Sequence, residues 1–396
     1  MRIETLFHEF VALRSGQESA GEDVPPVKLA FPPRRLVALV LAAALMAAWG
    51  FPWRAWAMDQ ATNVIIGLLL PPEEAEAASV RKGVLLAVED ANRGPAPKVS
   101  VVVRGRIGQW GADAVEAARM VLDDGAQGLI APPNGAATHL ALQVAGRTAV
   151  PVVSLCADSS VSRTGVPWMV RIAPTTIEEA RFLLAGLNAQ APGPQHWAAL
   201  VPDGRAGREV SRDLSRAAAA VQCKLGNIHE VSPTLTNFDS VVAQVLKERP
   251  EAVLLWVDPV PAGRLTRGLR DAGFAGKLAG PGRCNSPAFF ASSSLASEGF
   301  VVPAIVLDEA GEARLLSFQT AFRQRYGIEA DVTAAEGYDA ATLLAHILRK
   351  NDPQSLPRAF PLTFSLPGAS GDLSFDAAGN RKLALRLLTA RQGRFR

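Results

Sequence analysis

The stretch that most constrains this chain runs from Val64 to Asn92. Val64 to Leu70 is a continuous apolar run of strand length, and the segment after Pro71-Pro72 is acidic and alanine-rich. From there Val80, Val84, Ala87, Val88 and Ala91 recur at helical spacing, with Arg81, Lys82, Glu89 and Asp90 on the opposite face. The pattern predicts a strand, a loop and a helix. A strand that is apolar on both faces belongs in a parallel sheet covered by helices on either side. Small molecules bind such sheets beyond the carboxyl ends of the strands, so the loop from Leu70 to Ala78 is the first place to look for a site.

The alternation continues. Strands are expected at Val99–Val103, Gln127–Ala131, Ala149–Leu155 and Trp168–Ile172, with helices at Ala112–Leu122 and Thr138–Gly146 between them. Thr175 or Thr176 caps the next helix, whose first turn holds Glu178 and Glu179. A second βα series then starts afresh at Ala198 and runs to the strand Lys277–Ala279. After the strand Gly299–Ile305 come helices at Ala313–Tyr326 and Ala334–Arg349, then a hairpin across the Asp/Gly/Asn turn between Gly371 and Leu388. The fold class expected is α/β with two Rossmann-like lobes and a cleft between them, a division that 396 residues with 48% apolar content can support.

Residues 1–35 read as an N-terminal extension without a core, expected to be disordered. Residues 36–57 combine a preceding Arg34-Arg35 pair, an apolar stretch from Leu36 to Trp53 and a small-x-small end at Ala55-Trp56-Ala57. These are the parts of a secretory signal, and the apolar stretch is slightly short for a spanning helix. A cleaved signal is the first reading and a retained anchor at 36–53 the second; both place the bulk of the chain in the periplasm. The formal net charge of +3 is carried by scattered residues, which argues against a nucleic-acid partner. The three cysteines, Cys156, Cys223 and Cys284, form no CxxC. A Cys223–Cys284 disulfide is open to an exported chain, although unpaired buried thiols are the plainer expectation. His139, His196, His229 and His346 are dispersed, so no metal site is expected. No G-x-S-x-G elbow accompanies Ser154, Asp158 and His139, and Gly204-Arg205-Ala206-Gly207 lacks the lysine of a phosphate loop, so neither hydrolysis nor nucleotide binding is expected.

From Asn63 onward several short segments, each weak alone, fall in a recognisable order. They are Ile66-Gly67 with Gly83, Ala87 to Asn92, Val150-Pro151-Val152-Val153-Ser154, Arg171-Ile172-Ala173-Pro174, Asn237-Phe238-Asp239-Ser240, Ser297-Glu298-Gly299, Tyr338-Asp339-Ala340 and Gly371 to Gly379. In that order the chain resembles the type I periplasmic binding proteins of ABC transporters, of the kind that bind leucine, isoleucine and valine or amides. The resemblance implies two lobes joined by three crossings, near Ala173, Val302 and Pro361. One lobe then comprises 58–174 plus 303–360 and the other 175–302 plus 361–396. It also implies hinge closure on a small molecule, delivery to an ABC-type permease in the inner membrane, no catalysis, no cofactor, and a monomer.

The residues at the resemblance's pocket positions depart from an amino-acid site. Glu76 stands where an aromatic residue is common. The third-strand loop reads Asn134-Gly135-Ala136-Ala137-Thr138, with Thr138 alone matching the hydroxyl pattern, and Ser154-Leu155-Cys156-Ala157-Asp158 puts Asp158 at a threonine position. In the second lobe Asp203-Gly204-Arg205-Ala206-Gly207 has Ala206 in place of a covering tyrosine, and Asp258 stands near the position of an ammonium partner. Arg104 and Arg106 replace an acidic pair. Trp256 is equally a stacking wall and a core residue. Glu76 and Asp158 facing one dry cleft would repel a ligand carboxylate unless Arg205 or Arg283 neutralised them or one stayed protonated. The ligand expected is a cation or a neutral polar molecule rather than a standard amino acid. Two other readings stay open: a sensing or regulatory subunit of the same fold acting on a protein partner, and a scaffold that has lost its ligand.

Overall fold

The opening apolar run forms β1 (Val64–Leu69), followed by α1 (Ala75–Ala91), β2 (Val99–Arg104), α2 (Ala112–Leu122), β3 (Gly128–Ala131), α3 (Gly135–Thr148), β4 (Val152–Ser154) and β5 (Met169–Arg171). The computed structural model describes residues 63–70, 75–105, 111–190, 196–232, 234–235, 237–350 and 365–396, apart from the side chains of residues 75 and 76. The expected extension at 1–35, the signal or anchor at 36–57, Arg106 and Pro361 lie outside them. Among the described residues no helix is long and apolar enough to cross a membrane.

These strands pair in parallel in the order β2-β1-β3-β4-β5. The period of two divides one apolar run between both faces: Val64, Ile66, Leu68 and Leu70 enter one core, while Ile65 and Leu69 enter the other. That double burial is what the sequence pattern required. On the first face α1 crosses the helix Val332–Lys350, from far along the chain, through glycines. A Cβ on Gly83 would lie 2.0 Å from the Ala334 carbonyl oxygen, and one on Gly337 would lie 2.6 Å from that of Val80. Any side chain at either position would force the two backbones apart.

The second series comprises α4 (Thr176–Ala189), β6 (His196–Pro202), α5 (Gly204–Ala220), β7 (Lys224–Val231), α6 (Asp239–Lys247), β8 (Ala252–Leu255), α7 (Pro259–Asp271), β9 (Lys277–Ala279), α8 (Pro287–Ser293) and β10 (Val301–Ile305). Thr175 caps α4 in a full capping box with Glu178. The last part holds α9 (Glu309–Tyr326), α10 (Val332–Lys350), β11 (Leu366–Gly368), β12 (Gly371–Leu373), β13 (Leu385–Arg391) and β14 (Arg394–Phe395). The second sheet has the order β14-β13-β10-β9-β8-β6-β7, parallel from β7 to β10 with β13 and β14 added antiparallel. The fold is therefore two Rossmann-like α/β lobes.

Two crossings differ in place from those the resemblance implied. The first passes at 172–175, between β5 and α4. The second follows Ile305, with Asp308 capping α9 through a 2.7 Å bond from the Gly311 N–H, so it lies beyond Val302. The third is at 382–384, because residues 366–381 stay on the first lobe. Leu373 and Phe375 are buried in its core, and the Asp339 carboxylate accepts the Ala369 and Ser370 N–H groups and the Ser370 hydroxyl. β13 and β14 join the second sheet, whereas β12 packs in the core of the first lobe. The expected hairpin also changes: β12 pairs with β11, while β13 pairs with β10 and β14. A continuous burial demand from two sheets overrides the local turn signal.

Candidate functional site

The carboxyl ends of both sheets face a cleft of about 590 Å³ between the lobes. Loops after β3 and β4 form one wall, and the starts of α5 and α7 form the other. Asn134, Cys156, Asp158, Asp203, Arg205, Trp256, Asp258 and Arg283 all line it. Of the other expected residues, the Glu76 side chain lies outside the described residues, and Thr138 and Ser154 are not on the surface of the cleft. Both are fully buried for a local reason. The Thr138 hydroxyl donates to the Pro132 carbonyl at 2.9 Å, and Ser154 Oγ accepts the Cys156 N–H at 3.1 Å. They shape the loops whose neighbours face the ligand space.

The first wall is pinned from behind. Asn134 caps α3, accepting the Ala137 N–H at 3.0 Å. Arg171, fully buried at the end of β5, donates to the carbonyls of Cys156 and Asp158 at 3.0 and 2.6 Å, to Ser162 Oγ at 2.9 Å and to Asn380 at 3.3 Å. This fixes the backbone of the loop that presents Asp158. Burial opposes ionisation of Asp158, but His139 and the Ser160 N–H and hydroxyl outweigh it and hold the carboxyl well below the usual range. The Ser160 hydroxyl donates to Asp158 Oδ2 at 2.9 Å, so His139 Nε2, 2.8 Å from the same hydroxyl, is the donor in that contact. The Cys156 thiol is pushed up to about 12 by burial and stays neutral. All three cysteines are free, with Cys223 and Cys284 in the cores on opposite faces of the second sheet.

The second wall is more exposed. Asp203 and Asp258 stand at the N-cap positions of α5 and α7, and neither side chain makes a capping bond. Arg283 reaches Asp258 at 3.2 Å, and Arg205 Nε reaches Glu209 Oε1 at 2.8 Å. Asp158 itself is held by His139 and Ser160. Trp256 is buried in the core and also lines the cleft. Arg104 is engaged elsewhere on the first lobe, with Asp124 and Glu116.

Three lining carboxylates were not singled out from the sequence: Asp113, Glu209 and Asp213. The spacing of Arg205, Glu209 and Asp213 was available, since steps of four place all three on one stripe of α5. With them the cleft has, among the described residues, six carboxylates and two guanidiniums. Asp213 is buried and crosses the cleft, accepting from Ser159 Oγ at 2.9 Å. Among the described residues no group of three or more His, Cys, Asp or Glu is arranged to hold a metal.

Behind the cleft, residues of the first two crossings and of β13 line a smaller cavity of about 210 Å³. Glu179 faces it, buried, and accepts the Gly282 N–H at 3.1 Å. Burial pushes Glu179 up to about 7, against the opposing pull of the Arg283 charge and that hydrogen bond.

A family model described as periplasmic binding protein matches residues 66–381, more than half of the chain. The chain belongs to the type I periplasmic binding protein family. Solved structures agree at the level of fold. An ABC-transporter solute-binding protein from R. palustris in complex with benzoate gives a TM-score of 0.75 at 18% identity, covering 84% of this chain and 94% of that one. LivJ from Streptococcus pneumoniae in complex with isoleucine gives a TM-score of 0.74 at 16% identity, covering 84% and 98%. The leucine-binding protein LivK from Thermotoga maritima gives 0.73 at 17%, covering 84% and 97%. No curated protein sequence matches the chain. Like its family, this periplasmic binding protein has the architecture of a solute binder rather than an enzyme.

Proposed function

We propose that this chain is an exported solute-binding protein that captures a small polar molecule in the interlobe cleft by hinge closure and delivers it to an ABC-type permease in the inner membrane, without catalysis or a cofactor. The solute is a cation or a neutral polar compound rather than a standard amino acid. The observation that carries this is the charge of the cleft, six carboxylates against two guanidiniums among the described residues. Both guanidiniums already reach carboxylates of their own wall, Glu209 and Asp258. A ligand carboxylate entering this space would meet net negative charge at low dielectric, whereas an ammonium would be attracted. Asn134, Cys156, Asp158, Asp203, Arg205, Trp256, Asp258 and Arg283 are the proposed contacts, with Asp158 the principal one because it is both ionised and fixed in place.

Thermal unfolding of the chain against polyamines, alkylamines, amides, alcohols, organic acids and amino acids tests this. A ligand at a hundred times its Kd adds about 2.7 kcal/mol of stability. A rise in Tm with an amine or neutral polar compound, lost in Asp158→Ala, is the expected result. A rise with leucine or benzoate that survives in Asp158→Ala would sink the ligand class. Silence across the panel would shift the reading to a subunit that acts on a protein partner.

A further inference from the structure

The cavity behind the cleft is set off from it by Pro133, Ala157 and Arg283, which line both spaces. Most of its wall is apolar, with Leu155, Ile305, Leu315, Phe318, Val332 and Leu388 among the lining residues. At about 210 Å³ it is too small for a drug-sized molecule, yet larger than the cavity of about 150 Å³ that takes up benzene in another protein. The charged residues that line it are engaged within the protein, with one exception. Asp331 accepts the Ala334 N–H at 2.8 Å and the Ser79 hydroxyl at 2.6 Å. Arg283 reaches Asp258, Arg386 lies 3.8 Å from Glu312, and Glu336 stands near the Arg381 guanidinium. Glu179 is the exception. It is only 7% exposed, and among the described residues its carboxyl is hydrogen-bonded by the Gly282 N–H alone, on Oε1. A buried carboxyl with one oxygen bonded and the other turned to an apolar space is a receptor for a donor.

We infer that this cavity is a second ligand site, separate from the interlobe cleft, that takes one short primary alkylammonium ion: the ammonium donates to Glu179 and the alkyl chain lies against the apolar wall. The class follows from what the cavity offers. A carboxylate would meet the carboxyls of Glu179 and Glu336, and a hydrocarbon would leave Glu179 without a partner. An ammonium brings three donors and a charge of the right sign. Burial pushes Glu179 up to about 7, against the pull of the Arg283 charge and the Gly282 N–H and with a further push from Glu178. A cation within hydrogen-bond reach favours the ionised form, so binding below about pH 7 expels a proton from Glu179. The cavity reaches solvent beside Arg386, which is about half exposed, at 48%. The site stands whether or not the cleft binds the solute proposed above.

The test is isothermal titration of n-pentylammonium chloride into the full chain carrying Asp158→Ala, which removes the principal contact of the cleft. One ion per chain is expected to bind, with a Kd at or below about 1 mM. Affinity should rise about fourfold for each CH2 added between methylammonium and pentylammonium, the gain for a buried CH2. At about pH 6, titrations in buffers of different ionisation enthalpy should show a proton released on binding. Glu179→Gln, added to the same chain, should weaken binding by at least about tenfold and abolish that release. 1-Pentanol, of the same length without the charge, should bind at least about tenfold more weakly than pentylammonium, and pentanoate should not compete with it. Leu315→Trp fills the cavity from α9 without altering its charge and should also weaken binding. It carries the test if circular dichroism shows that Glu179→Gln does not fold. The inference is overturned if pentylammonium does not bind the Asp158→Ala chain, or if both Glu179→Gln and Leu315→Trp keep its affinity. It is equally overturned if pentanol binds as well as the amine, which would make this a site for neutral molecules. A thermal panel without any cleft solute would sink the proposed function and leave this result untouched, because the titration is read where the cleft contact is already removed.

Discussion

On the first lobe, the loops facing the cleft are held from behind by buried hydrogen bonds. On the second, the facing side chains stand at helix starts, and Asp258 and Arg205 are each about half exposed, at 54%. One wall is fixed by its own buried hydrogen bonds, and the other is held by exposed side chains. A preformed wall loses little entropy on binding, while long charged side chains on the moving wall give up rotamer freedom in exchange for adaptability. The asymmetry assigns geometry to the first lobe and charge matching to the second.

The largest effect should come from removing what holds the first wall. Arg171→Leu leaves the carbonyls of Cys156 and Asp158 buried without donors and is expected to cost about 3–5 kcal/mol in urea unfolding. A loss below about 1 kcal/mol would show that the wall is not held this way. Thr138→Val removes one buried bond to Pro132 and should cost about 1–2 kcal/mol, with solute affinity nearly unchanged because the hydroxyl does not face the cleft. A drop in affinity larger than the drop in stability would return Thr138 to the site. At the exposed wall, Asp203→Asn should change stability by less than about 0.5 kcal/mol and act on solute affinity alone.

Two acids sharpen the same contrast through pH. Asp158 has a lowered folded pKa, so its contribution is present above the ordinary carboxylate range and is lost as the pH falls toward the lowered value. Asp158→Asn should flatten the acid limb of the stability profile. Glu179, at the hinge, behaves in the opposite sense. Its pKa rises from 4.5 to about 7, so between those values the folded chain keeps a proton that the unfolded chain releases. Stability should therefore fall as the pH rises through that window, and Glu179→Gln should remove this part of the slope. An unchanged slope would mean that water reaches the Glu179 carboxyl.

The alternation of strands and helices was legible in the sequence because each apolar run had to serve two cores, as Ile66 and Leu69 do on opposite faces of β1. The cap at Thr175 was legible for a local reason, its spacing to Glu178. Eight expected residues share the cleft because strand ends and helix starts converge there whatever the ligand. Thr138 and Ser154 were misplaced because a hydroxyl in a loop serves its own backbone as readily as a ligand, and sequence alone does not say which. Glu209 and Asp213 were missed because their role depends on how the lobes meet, which no local spacing encodes. The third crossing was misplaced for a similar reason: the pull of Asp339 on Ser370 acts across 31 residues.

The bond from Arg171 to Asn380 spans 209 positions. During synthesis, the loop that presents Asp158 therefore leaves the ribosome long before the residue that helps to fix it. The lobe that begins first is finished last, and a chain cut short before Asn380 would contain every residue of the cleft and still lack part of the support of its rigid side. Folding of so non-local a unit is expected to be slow, with its final step waiting on the carboxyl terminus.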